Sequence, residues 1–276
     1  MKLAAGIVLY NPNINILKQS IKELEQIVSS IILVDNNSNN IYDIAKISSK
    51  KILLIKNKKN RGIAEALNQI LEIANNEKCD YLLTLDQDSI LEEIMIKKML
   101  PFLEKRNVAI VCPRIIDINR DNQKKFNGEY EEVYRCITSG SVMNLKLCNK
   151  IGFFDEKMFI DYVDFDFCKR VMINNYKILR INSALIKHEI GKRTKRHFFI
   201  WTVYPTNHNS DRVYFYFRNV HYYCLKYKKQ MSFYEKYYEI IRLFWKYISI
   251  ILYEKDKKRK IIQAKQGFKD AKLMLN

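Results

Sequence analysis

At 276 residues and 48% hydrophobic composition, the chain carries enough apolar material for one large domain, or one domain with an appendage, and large-scale disorder is excluded. The net charge of +18 asks for an anionic partner: nucleic acid, an anionic membrane surface or an acidic substrate. Half of that excess falls between Val220 and Asn276, where fourteen Lys/Arg stand against five Asp/Glu.

Six scattered cysteines form no Cys-x-x-Cys pair, which argues against a zinc site or a disulfide framework and for reduced thiols in a cytosolic protein. Residues Met1 to Tyr10 mimic a short signal peptide but lack a small-residue cleavage site, so they read as a first buried strand. No run of about 18 uninterrupted apolar residues offers a membrane span.

In chain order, a strand from Leu3 to Leu9 ends at Tyr10-Asn11-Pro12-Asn13, and Ile14, Leu17, Ile21, Leu24 and Val28 follow at helical spacing. A second strand, Ile31 to Val34, ends in Asp35. A third, Lys51 to Ile55, leads through Asn57 to Asn60-Arg61-Gly62, where Gly62 opens a helix carrying Ile63, Ala66, Leu67, Ile70 and Leu71 inward. The fourth, Asp80 to Leu85, stops abruptly in Asp86-Gln87-Asp88-Ser89, and a fifth is expected at Val108 to Cys112. This β-α alternation predicts a mostly parallel sheet with helices on both faces, a Rossmann-like arrangement.

Asp86 and Asp88 point the same way from extended chain, which suits a hard divalent cation holding a phosphate. The competing reading is turn chemistry, with Ser89 and Glu92 forming a capping box for the following helix. No Gly-x-Gly-x-x-Gly follows the first strand and no P-loop motif occurs anywhere.

After a polar excursion from Asp117 to Arg135, Cys136 to Asn144 reads as a strand with small residues at its centre. A second acidic cluster follows in Phe159-Ile160-Asp161-Tyr162-Val163-Asp164-Phe165-Asp166, entering a helix that ends near Asn174. Capping by Asp161, with Asp164 in the first turn, explains part of it. A strand from Ile178 to Ile186 then delivers His188. Arg212 and Arg218-Asn219 lie on an aromatic segment, and from Met231 the pattern is a basic amphipathic helix, read either as a solvated face or as a membrane-contacting one.

The order of these motifs resembles glycosyltransferase family 2, the inverting enzymes of GT-A fold, and within it the bacterial rhamnosyltransferase branch. Tyr10-Asn11-Pro12, Val34-Asp35-Asn36, Asn60 to Ala64 with Ala66 and Asn68, Thr84 to Ser89, Ser139-Gly140-Ser141, Phe159 to Asp166 with Arg170, His188 with Gly191, and Arg218-Asn219 carry the likeness. It fades after about residue 225.

The resemblance implies a glycosyltransferase domain over residues 1–220, with a nucleotide-sugar half at about 1–115 and an acceptor half at about 116–220. A basic, aromatic-rich helical extension would occupy 221–276. Asp35 would meet the base or ribose beside Tyr10 and Asn11, with Asn60, Gly62 and Ala64 closing over the nucleoside. Asp88 would contact Mg²⁺ or Mn²⁺, with Asp86 near the ribose or in the metal shell and His188 completing the metal or diphosphate site. Asp164 matches the catalytic base, with Asp161 and Asp166 as second choices. Arg170, Arg193 and Arg218 would meet anionic groups of donor or acceptor.

The implied reaction moves a sugar, rhamnose from dTDP-rhamnose in the first instance, to a glycan or lipid-linked glycan at the cytoplasmic membrane face during surface polysaccharide synthesis. Peripheral contact with anionic membrane is expected, and a homodimer is left open. UDP-linked galactose, glucose or galactofuranose is the alternative donor. A sugar-nucleotide nucleotidyltransferase would want a Gly-rich basic loop where Tyr10-Asn11-Pro12-Asn13 stands. A nucleic-acid binder would need a reading element, and none is found.

Overall fold

The computed structural model describes residues 1–117, 126–188, 196–198, 201–203 and 205–275, which divide into two compact units. The first unit comprises residues 1–156 and 163–188, and the second 157–162 and 189–276.

The first unit opens with β1 (Leu3–Leu9), α1 (Ile14–Glu25), β2 (Ser30–Asp35) and α2 (Ile41–Ala45). Next come β3 (Ile52–Lys56), α3 (Gly62–Asn76), β4 (Tyr81–Asp86), α4 (Glu93–Met99) and β5 (Val108–Asp117). It closes with β6 (Tyr130–Glu132), β7 (Ser141–Asn144), α5 (Leu145–Ile151), α6 (Val163–Ile173) and β8 (Lys177–His188). One sheet runs in the order β3-β2-β1-β4-β7-β5-β8-β6, with β1 to β4 mutually parallel, β8 parallel to β5, and β7 and β6 antiparallel to their neighbours. The predicted α/β class and mostly parallel sheet are thus observed.

Period-two alternation sorts each strand between two helical layers. Ala5, Ile7, Leu9, Ile31, Leu33, Leu83 and Leu85 join Leu17, Ile21 and Leu24 of α1 and Met95, Ile96 and Met99 of α4 in the main core. On the opposite face Gly6 lies under Ile70 of α3, so close that a Cβ there would meet the Ile70 side chain at 2.3 Å. Only a residue without a side chain lets α3 seat at this depth.

Two expectations are corrected. The strand predicted from Cys136 is confined to Ser141–Asn144, because Gly140 takes φ +79° and its amide bonds to Thr84 O. The left-handed turn bends the preceding residues out of the ladder. The Ser89–Glu92 capping box is absent as well: α4 starts at Glu93, four residues after Ser89, and Ser89 is buried with its hydroxyl bonded to Ser139.

In the second unit β9 (Arg196–Phe198) pairs antiparallel with β10 (Trp201–Val203), followed by α7 (Ser210–Lys226), α8 (Phe233–Tyr253) and α9 (Lys257–Ala271). Helix α8 begins with a complete capping box between Ser232 and Glu235. Its residues are turned outside in: Glu239, Ser249 and Ile250 are buried while Phe233, Tyr234, Tyr237, Tyr238, Ile240 and Phe244 are more than half exposed. Glu239 is buried because it accepts the Tyr162 hydroxyl, beside Arg242, whose guanidinium also bonds that hydroxyl at 3.0 Å. Burial is the largest influence on the Tyr162 phenol and holds it protonated far above its usual range. Among the described residues no helix is long and apolar enough to cross a membrane.

Candidate active site

Because β2, β1 and β4 are parallel neighbours, Asp35, Leu9 and Asp86 end side by side at one edge of the sheet, where open α/β sheets bind ligands. The loops leaving these strands are latched together. Asp35, 1% exposed, accepts the backbone amides of Asn37 and Ser38, each at 3.1 Å. Ser38 Oγ in turn accepts the amide of Asn11 at 2.8 Å, and Asn11 Oδ1 accepts that of Asn39 at 2.8 Å. Asn11 sits at φ +50°, a left-handed position that asparagine tolerates.

Asn36 extends the latch to the next loop. Its amide donates to Gly62 O at 3.0 Å and its carbonyl accepts from Asn57 at 2.9 Å, while Asn57 and Gln69 exchange amide hydrogen bonds at 3.0 Å. Asn60 Oδ1 accepts the Gly62 amide at 2.9 Å, where Gly62 (φ +84°) opens α3, and Ala64 is fully buried in the first turn of that helix. The residues singled out from sequence in this half, Tyr10, Asn11, Asp35, Asn60, Gly62 and Ala64, therefore belong to one connected rim.

The Asp86-Gln87-Asp88 triplet joins the same rim. Gln87 pairs with the Tyr10 backbone in both directions, accepting its amide at 2.8 Å and donating to its carbonyl at 3.2 Å. Asp86 and Asp88, on either side, are both exposed. Ser139 braces the triplet from below: its hydroxyl accepts the Asp86 amide at 3.1 Å and donates to Ser89 at 2.9 Å. It is in reach because β7 runs antiparallel to β4, with Ser141 opposite Thr84, so residues just before β7 lie at the carboxyl end of β4. Two exposed carboxylates one residue apart are hard oxygen donors, a set that fits Mg²⁺ or Mn²⁺ when substrate phosphates complete the shell. Among the described residues no three His, Cys, Asp or Glu side chains gather to hold a metal without such a substrate.

Asp164 reaches the same region from α6. It lines a cavity of about 10 Å³, water-sized, together with Thr84, Thr138 and Ser141. Asp166, two residues on, is fully buried and paired with Arg170 Nε at 3.0 Å, while Arg170 Nη1 bonds Ile151 O at 3.2 Å. The remaining wall of the cavity includes Cys136 and Cys168, whose sulfurs lie 3.7 Å apart. The neighbouring Cys112 thiol is pushed well up by its hydrogen bond to Cys136 and by burial, and burial raises Cys148 to about 12. A neutral, buried thiol is a poor nucleophile.

In the second unit Asp161 is engaged by Arg212 at 3.1 and 3.3 Å, and Arg218 donates to Lys157 O at 2.8 Å and to Asn219 Oδ1 at 3.0 Å. Asn219, fully buried, donates to the carbonyls of Ile160 (2.6 Å) and Asp161 (3.0 Å). It thereby clamps a strained pair, Asp161 at φ +63° and Tyr162 at φ +69°, where L residues rarely sit. His188 is the last residue of β8; its side chain lies outside the described residues, as do Gly191 and Arg193.

Sequence reasoning missed Gln69, Ser38 and Glu239. Gln69 and Ser38 carry no local signal, since their partners are twelve and twenty-seven residues distant. Glu239 had one: a carboxylate inside the aromatic run of a basic helix.

A mostly parallel sheet with carboxylates at adjoining strand ends defines an open α/β protein whose ligand site lies at the carboxyl edge of the sheet. The chain belongs to Glycosyl transferase family 2, whose model matches residues 5–164. It is 30% identical over 234 residues to the dTDP-rhamnosyl transferase RfbF of Shigella flexneri, covering 78% of this chain and 77% of that one. Among solved structures it resembles S. aureus TarS residues 1–349 (TM-score 0.61, 13% identity, 98% of this chain and 81% of that one), which has also been solved with UDP and with UDP-GlcNAc. It further resembles GalNAc-T7 with UDP, GalNAc and Mn²⁺ (TM-score 0.57, 13% identity), matching 68% of this chain but 44% of that larger one. These structural likenesses establish the GT-A fold.

Proposed function

We propose that the protein transfers rhamnose from dTDP-rhamnose to a hydroxyl of a glycan or lipid-linked glycan, with inversion at the anomeric carbon, at the inner face of the cell membrane during surface polysaccharide synthesis. The observation that carries this reading is the convergence of two acidic clusters, distant in sequence, on the carboxyl end of β4: Asp86 and Asp88 leave that strand, and Asp164 shares a cavity with its Thr84. The similarity to RfbF supports dTDP-rhamnose as the donor.

Residues 1–117 provide the nucleoside rim, with Asp35 holding the loop that carries Asn11, Asn36 and Ser38 to the base and ribose. Asp86 and Asp88 are the residues that would hold Mg²⁺ or Mn²⁺, with His188 as a third ligand. Such an ion would neutralise the charge growing on the diphosphate as the sugar bond breaks. Asp164 takes the proton of the acceptor hydroxyl as its oxygen attacks the anomeric carbon; the nucleoside diphosphate departs with the electrons of the broken bond. Arg170 acts on the site indirectly, by fixing Asp166 and hence α6. Arg218 acts through the carbonyl of Lys157.

Thermal-shift titration with dTDP, UDP and GDP, each with and without Mn²⁺, tests the reading. A metal-dependent shift with dTDP that disappears in Asp88→Ala is expected. A shift with UDP alone would assign a UDP-sugar donor, and no shift with any nucleotide would remove the donor site. Release of pyrophosphate from a nucleoside triphosphate would replace transfer by nucleotidyl chemistry.

A further inference from the structure

The second unit contains a cavity of about 730 Å³ between α7, α8 and α9, within the range of pockets that take small organic ligands. Its wall is apolar, built from Phe217, Leu243, Tyr247 and Phe268. Ile240 and Phe244, at its mouth, are 63% and 56% exposed. Three lysines are among its lining residues: Lys228 after α7, Lys236 on α8 and Lys265 on α9. An apolar wall with three lysines in its lining suits a hydrocarbon chain ending in a phosphate.

The surroundings extend the match. The exposed aromatics Phe233, Tyr234, Tyr237 and Tyr238 precede the cavity on the same helix, whose buried residues are largely polar. An apolar surface of this kind on a charged helix is the pattern of elements that lie in the membrane interface. The fourteen basic residues from position 220 onward supply the field that draws such a surface to anionic headgroups.

We infer that α7, α8 and α9 form a docking surface for anionic phospholipid bilayers, with one acyl chain entering the cavity and its phosphate held by Lys228, Lys236 and Lys265. The surface belongs to the second unit and Asp35, Asp86 and Asp88 to the first, so the inference goes beyond the transfer reaction and stands whether or not dTDP is the nucleotide bound. It would hold the enzyme against the surface on which a lipid-linked acceptor travels.

The test is co-sedimentation of the full chain with vesicles of phosphatidylcholine alone and of phosphatidylcholine containing one third phosphatidylglycerol. Binding should require phosphatidylglycerol, weaken with added salt, and fall about tenfold or more in Lys228→Glu/Lys265→Glu, in line with the worth of basic residues at an anionic surface. Chain insertion is read separately at Cys224, which lines the cavity. Its alkylation, followed by peptide mass, should slow when phosphatidylglycerol vesicles are present, and slow less in Ile240→Asp. The melting temperature and far-ultraviolet circular dichroism of these variants should match those of the parent, which shows that they remain folded. Equal binding to neutral vesicles, or bound protein whose Cys224 reacts at the unbound rate, would overturn the proposal. So would neutral vesicles doped with a polyprenyl phosphate binding more tightly than those with phosphatidylglycerol, which would make the cavity an acceptor site. A lipid-free dimer dispersed by Ile240→Asp would give the face to a second copy instead.

Discussion

Asp164 and Asp166 lie two residues apart on one helix, yet their surroundings assign them opposite work. Asp166 is fully buried against Arg170, and a buried pair broken from one side leaves an uncompensated charge costing about 3–5 kcal/mol. Asp164 faces the cavity at the end of β4, where a positioned base is worth about 10² to 10⁴-fold in rate. Asp166→Ala is therefore expected to lower the melting temperature sharply, while Asp164→Asn keeps the melting temperature and nucleotide binding but loses two to four decades of transfer. The reverse pattern would exchange their roles. Spacing alone left the two equivalent, because what separates them is the Ile151 carbonyl and the cavity wall, both remote in the chain. His208 offers a titration that sequence did not reveal. Burial, reinforced by Arg212 and Lys246, lowers it from 6.5 to about 4, while Asp161 and Glu254 pull the other way. The unfolded chain then binds the proton more readily than the folded one, so stability is complete above pH 6.5 and declines as pH falls from 6.5 towards 4. Melting curves across that interval should show the decline in the parent and a flatter profile in His208→Asn; identical slopes would show that His208 is not its source.

Elements were the most legible level, and the exceptions have physical causes. Strands β1 to β4 were found within a residue or two of their bounds because each is a short apolar run closed by polar residues, Tyr10-Asn11, Asp35, Lys56-Asn57 and Asp86, and every residue of β2 is buried. The supposed capping box at Ser89 misled because a Ser-x-x-Glu spacing is satisfied locally, whereas Ser89 is claimed by Ser139, fifty residues further on. The glycine of α9 is similarly opaque in sequence. Gly267 lies where a Cβ would meet Tyr214 O at 2.6 Å and Arg218 N at 2.9 Å, both backbone atoms of α7. Alanine would gain about 1 kcal/mol of helix propensity, but overpacking against atoms that cannot rotate away costs about 1–3 kcal/mol. Gly267→Ala is accordingly expected to destabilise on balance, measured by denaturant midpoint. A stabilised variant would mean that α7 and α9 separate freely.

At the scale of the whole chain, the crossing at residues 157–162 matters most. The polypeptide leaves the first unit there, contributes six residues to the second, and returns to build α6 and β8. Those six residues carry the strained Asp161-Tyr162 pair immediately before the helix of Asp164, and what holds them, Asn219, Arg212, Arg218 and Glu239, arrives much later in the sequence. A chain ending at residue 188 should be cleaved within 157–162 by limited proteolysis far faster than the full chain; equal rates would show another support. The hydrophobic pattern announced the sheet and the basic helices but not this exchange, since nothing in Phe159-Ile160-Asp161-Tyr162 marks it as belonging elsewhere. The clamp also sets a clock on synthesis. Asn219 follows Asp161 by 58 residues, so at about 5–20 residues per second the ribosome delivers it roughly 3–12 s later. Through that interval the Asp161-Tyr162 turn exists without its clamp, so residues 157–162 are the last part of the crossing to be fixed.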